Sequence, residues 1–82
     1  MNLTTIIGKL DAKYPRDNVH VTNYGTILSY LNNTNTSITI NSTAYNPHRI
    51  YLINQQSTAY LYVHTINKKY HKIAISSINT IT

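Results

Sequence analysis

The apolar residues of this chain change their period, and that change bounds what it can fold into. Leu3, Ile6, Ile7, Leu10 and Tyr14 stand at i, i+3, i+4, i+7 and i+11, a single helical stripe. After Ser37 the apolar residues alternate with polar ones, the period of a strand with one buried face. The pattern predicts an α+β fold: an N-terminal helix packed on an antiparallel β-sheet (meander) of roughly four to six short strands. A helix this short is not stable by itself in water, so its stripe must dock on the sheet.

Local signals set the boundaries. Asn2 is suited to cap the helix, and Pro15 drives Tyr14 out of helical geometry and ends it. Gly8 in mid-helix costs about 1 kcal/mol against Ala, a cost that close packing on the sheet would explain. Val19-His20-Val21-Thr22 predicts a short strand. From Asn23 to Asn32 two readings stay open. Tyr24, Ile27, Leu28 and Leu31 fit a helical period, while Gly25 and the strand formers of Thr26 to Leu31 fit the second arm of a hairpin. The balance leans to the hairpin, with a short helix close behind it. Asn32 to Ser37 is a polar loop without an apolar residue. Beyond it lie Ile38 to Asn41, a turn at Asn46-Pro47, and strands at Arg49 to Asn54, Thr58 to Ile66 and Tyr70 to Ile78.

With 82 residues the chain is expected to form a single domain over 1–82, and it carries no cysteine to staple it. A domain of this size buries only roughly 60–65% of its unfolded surface, which makes a homodimer an attractive source of further burial. Ile73, Ile75, Ile78 and Ile81 run past the expected last strand, and Ile78 and Ile81 are the residues that would meet across a two-fold axis. No apolar stretch approaches the roughly 20 residues that span a bilayer. The opening residues also lack the basic start and apolar run of a signal peptide, so the expected location is cytoplasmic.

Charge narrows the chemistry. The only acids are Asp11 and Asp17, against seven Lys and Arg, for a formal charge of +5. Paired carboxylates for glycoside hydrolysis, acidic cages for Mg²⁺ or Ca²⁺ and a triad with a late acid all lack their side chains beyond Asp17. No glycine-rich phosphate loop exists, and His20, His48, His64 and His71 lack the spacing of a structural zinc site. The expectation is a binding protein, not an enzyme, with no cofactor and no metal.

Register arguments yield a surface. If one face of the sheet buries Ile38, Ile40, Ile50, Leu52, Leu61, Val63, Ile73 and Ile75, the other carries the polar and aromatic alternates. Pairing Leu52 with Ala59 sets Tyr51 opposite Tyr60 and Arg49 opposite Tyr62. A similar register at the last hairpin sets Lys72 opposite His64 and Tyr70 near Ile66. The second face therefore presents Arg49, Tyr51, Tyr60 and Tyr62, joined by His64, Tyr70 and Lys72, with Ile53 among them. Lys68 and Lys69 in the following turn add a local positive patch with Lys72. Aromatic rings interleaved with cations suit stacking on bases and neutralising phosphates, so nucleic acid or a ribonucleoprotein is the expected partner. Tyr and Arg are also what protein-binding hot spots are made of, and Tyr pairs stabilise sheets without any ligand.

Twelve Ile, eleven Asn and eight Tyr, all with AT-rich codons, give the chain the flavour of phages and mobile elements. A short helix followed by an antiparallel meander resembles many small phage-encoded proteins, some inhibitors of CRISPR nucleases among them. The resemblance lies in size and composition, rests on no motif and transfers no residues. Small size, no catalytic set and an edge-bearing sheet suit the alternative function, a stoichiometric inhibitor or adaptor that docks on one host protein, by its acidic surface or by a nuclease's guide-RNA-bearing face.

Overall fold

Pro15 divides the chain where the sequence says it should. In the computed structural model, which describes residues 1–82, helix α1 (Leu3–Lys13) precedes it and every later regular element but one short turn of helix is β. Asn2 caps α1 through its side-chain oxygen, which accepts from the Thr5 amide at 2.8 Å. Ile6 and Leu10 are fully buried on the stripe. Gly8 lies on the exposed side, and a Cβ placed there would meet nothing within 4 Å. Close packing on the sheet is therefore not the reason for this glycine.

Seven strands follow: β1 (Arg16–Thr22), β2 (Gly25–Leu31), β3 (Ile38–Ile40), β4 (Thr43–Tyr45), β5 (Pro47–Gln55), β6 (Thr58–Thr65) and β7 (Tyr70–Ala74). Five form an antiparallel sheet in the order β1-β2-β5-β6-β7, and β3 and β4 form a separate hairpin. The meander is thus interrupted once, by a hairpin that leaves the sheet between β2 and β5.

The ambiguous segment is strand. Asn23 and Tyr24 make a tight turn that sets Thr22 opposite Gly25, and β2 continues to Leu31. Gly25 is indispensable there. Its φ is +150°, and a Cβ would stand 1.9 Å from the Asn54 carbonyl oxygen of β5. No short helix follows β2, because Asn32 ties the loop to itself instead: its side chain bonds the Thr36 amide and carbonyl and the Pro47 carbonyl.

α1, the β3–β4 hairpin and the C-terminal segment cover one face of the sheet. The core holds Leu28, Tyr30, Ile50, Leu52, Leu61 and Val63 from the sheet, Ile38 and Ile40 from the hairpin, and Ile75, Ile78 and Ile81 from the C-terminus. β7 ends at Ala74, short of the expected Ile78, because the chain turns through a 3₁₀ helix (Ile75–Ser77) back across the core. Ile78 and Ile81 are 0% and 2% exposed, so they seal this chain's own core and are not available to a partner. Asn41 holds the return. It sits in the left-handed turn between β3 and β4, donates to the Ser77 carbonyl at 2.8 Å and accepts from the amides of Asn79 and Thr80. No helix is long and apolar enough to cross a membrane.

Candidate functional site

The opposite face of the sheet is left uncovered, and alternation along β5, β6 and β7 decides what stands on it. The registers differ from the expected ones by two residues in both hairpins: Leu52 faces Leu61, and His64 faces Tyr70. Each loop keeps its expected length and moves by one residue along the chain: the first hairpin closes at Gln55 and Thr58, and in the second the Thr65 amide donates to the Lys69 carbonyl. A shift of two preserves which side each residue points to, so the composition of the face survives while its neighbours change. Three rows cross it. Arg49, His64 and Tyr70 form one, Tyr51, Tyr62 and Lys72 the next, and Ile53, Tyr60 and Ala74 the third.

Within these rows the side chains interlock. The His64 and Tyr70 rings stack with centroids 4.2 Å apart and planes 4° from parallel. His48, displaced by an irregularity in β5 between Pro47 and Arg49, sets its edge against His64 at 5.7 Å. The Lys72 ammonium lies 4.2 Å from the centre of the Tyr60 ring and 5.9 Å from that of Tyr62. Such contacts stabilise by about 0.5–1 kcal/mol at exposed sites and leave the cation open to water on its outer side.

Both acids are spent on ion pairs. Asp17 on β1 takes Arg49 across β2, and the same Arg49 Nη1 donates to Ser29 Oγ at 3.0 Å. The guanidinium's hydrogen bonds hold the Asp17 carboxyl below its usual range. Asp11 takes Arg16 through two hydrogen bonds of 2.7 and 2.8 Å and accepts a third from the Tyr30 hydroxyl. Arg16 lowers the Asp11 pKa in the same way. Burial raises Tyr14 and Tyr30 to about 12. With both arginines matched to an acid, the surplus positive charge rests on Lys9, Lys13, Lys68, Lys69 and Lys72.

The nine residues singled out in the sequence do not form one cluster. Tyr60, Tyr62, His64, Tyr70 and Lys72 come together on β6 and β7, with Tyr51 alongside. Arg49 lies in the same face but is occupied by Asp17. The two turn lysines part company: Lys68 borders a hollow of about 300 Å³ with His48 and His64, whereas Lys69 borders another with Tyr45 and His71. His71 points to the covered side, its ring 5.0 Å from Tyr45. Sequence reasoning missed His48 and Asp17. The irregularity at His48 has no marker but Pro47, and the Asp17–Arg49 pair joins strands that only the order β1-β2-β5 brings near.

No protein-family model, curated protein or solved structure matches this chain. The functional reading rests on the geometry of the face.

Proposed function

We propose that the open face of β6 and β7, with the adjoining part of β5, binds single-stranded nucleic acid without chemistry of its own. The observation that supports it is a cation and stacked rings side by side on an uncovered sheet. Lys72 lies over Tyr60 and stands two residues along β7 from Tyr70, whose ring stacks on His64. Bases stack on the outer faces of such rings whatever their sequence, and the lysines meet phosphates. Lys68 at the rim of the His48–His64 hollow extends the positive track beyond the last row. The reading carries with it a cytoplasmic setting, where free or ribonucleoprotein-bound strands are found.

The test is a fluorescence titration of labelled single-stranded DNA and RNA across salt concentrations. Each lysine engaged on a single strand contributes a slope of about −0.7 in log affinity against log salt. Lys68→Ala with Lys72→Ala should flatten that slope by roughly 1.4, and Tyr62→Ala should weaken binding without changing it. Absence of any binding at low salt rejects the reading. Recovery from a host extract of one protein that survives nuclease treatment favours the inhibitor or adaptor alternative instead.

A further inference from the structure

The two edges of the sheet are built differently. β7 ends one side, bears Lys72, and runs directly into the 3₁₀ turn. β1 ends the other, and from Asn18 to Thr22 it carries no charged residue and no proline, the usual guards of an exposed edge. Val19 is 50% exposed and Val21 72% exposed, beyond the cover that α1 and the β3–β4 hairpin give the same face of the sheet.

From this edge we infer that β1 pairs with β1 of a second copy, antiparallel about a two-fold axis at His20, joining two five-stranded sheets into one. Three observations fit this occupant. The tight turn at Asn23-Tyr24 closes on Thr22 and Gly25 as a hydrogen-bonded pair. Bonding to β2 then falls on alternate residues, which turns the N–H and C=O groups of Val19 and Val21 outward. A two-fold at His20 sets Val19 opposite Val21 of the second copy and the reverse, so both valine pairs are hydrogen-bonded and all four side chains share one face. Lastly, the two charges on β1 itself, Arg16 and Asp17, are each matched within the chain, by Asp11 and Arg49, and three of the five unmatched lysines are remote from the contact. Lys68, Lys69 and Lys72 lie at the far edge, four strand spacings or roughly 19 Å away, beyond the screening length of about 8 Å.

An axis of this kind runs perpendicular to the sheet, so the two uncovered faces lie on the same side. Joined in this way, they make one continuous surface with a lysine-bearing edge at each end.

The chain has no cysteine, so His20→Cys gives a clean probe. Residues opposed in a pair that is not hydrogen-bonded have Cα atoms about 4.5 Å apart, within disulfide range. Mild oxidation should trap His20→Cys as a dimer at twice the 9.4 kDa of the chain, whereas Lys72→Cys on the far edge should stay monomeric. Sedimentation of the unaltered chain from about 1 to about 500 µM, the span in which weak contacts register, should show the mass rising with concentration. Val21→Lys, at an exposed site, should hold it at monomer mass with an unchanged circular dichroism spectrum. A monomer at every concentration, with His20→Cys no faster to cross-link than Lys72→Cys, overturns the inference and leaves the β1 edge to a foreign strand.

Discussion

The two faces of the central sheet are made by the same strands, residue by residue in alternation, and they hold together by different means. On the covered face Leu28, Ile50, Leu52, Leu61 and Val63 are buried beneath α1, the β3–β4 hairpin and the C-terminal segment. The open face has no such lid, and its residues cover one another: Lys72 lies over Tyr60 and Tyr62, His64 on Tyr70, and Arg49 over a nearly buried Ser29. Burial is achieved on one side by a second layer and on the other by long side chains laid flat. The first arrangement is non-directional and strong for each residue, while the second is exchangeable. A ligand that stacks on the rings replaces contacts with water and leaves the core intact.

The largest expected effect separates these two arrangements on a single strand. Leu61 is fully buried, and Leu61→Ala should destabilise by about 2–5 kcal/mol in urea unfolding. Its neighbour Tyr62, half-buried on the open face, should lose about 1 kcal/mol on change to Ala, largely cross-strand contact with Tyr51 and Lys72. Equal losses at the two positions would mean that the open face is a second core and not a surface.

Alkali should strike the covered side next. Tyr14 and Tyr30 belong to the core, and burial raises both from the ordinary 10 to about 12. The unfolded chain therefore releases these protons before the folded one does. Stability from these two groups is whole below pH 10 and is lost as pH rises towards 12. Urea midpoints should fall across that window, and Tyr30→Phe should flatten the fall. An undiminished fall in both Tyr30→Phe and Tyr14→Phe would show that other groups carry it.

How far these faces were legible follows from which interactions are local. The helical stripe from Leu3 to Tyr14, its cap at Asn2 and its stop at Pro15 are signals within a few residues, and the structure bears them out. Alternation in β5 and β6 fixed which residues share a face, since a slip by one residue would expose Leu52 or Leu61. The register itself differs from the expected one by two, a shift that exchanges neighbours without exposing anything and so leaves no mark in the alternation. The destination of Ile78 and Ile81 was not legible. It depends on Asn41 catching the backbone at Ser77, Asn79 and Thr80, about 36–39 residues away in sequence. Nor was the loss of Arg49 to Asp17, a contact reaching over the strand between them.

A smaller effect, of opposite sign, tests how the lid is made. Gly8 is on the solvent side of α1 with open space where a Cβ would be. Gly8→Ala should therefore stabilise by about 0.5–1 kcal/mol, the intrinsic helix preference, and raise the melting temperature by a few degrees. Destabilisation would mean that α1 approaches another surface at Gly8, which the present arrangement of the covered face does not include.

The smallest change in stability should bring the most informative change in binding. Asp17 and Arg49 are about a quarter exposed, at 29% and 24%, so the pair is a partly screened surface contact and not a buried one. Removing the charge with Asp17→Asn should cost about 0.5 kcal/mol. The loss belongs to neutral pH: the lowered carboxyl pKa supplies stability above the usual carboxylate range, and that stability disappears as pH falls through the folded value. Released from its acid, Arg49 still stands in the row with His64 and Tyr70, held by Ser29 at 3.0 Å. It then offers the open face a second cation beside Lys72. If that face grips phosphates, Asp17→Asn should bind single strands more tightly, and its salt slope should steepen by about 0.7, the equivalent of one further contact. A variant that loses stability but gains neither affinity nor slope would leave Arg49 as a strut between β1 and β5. The polyanion track would then be confined to the lysines of the β6–β7 edge.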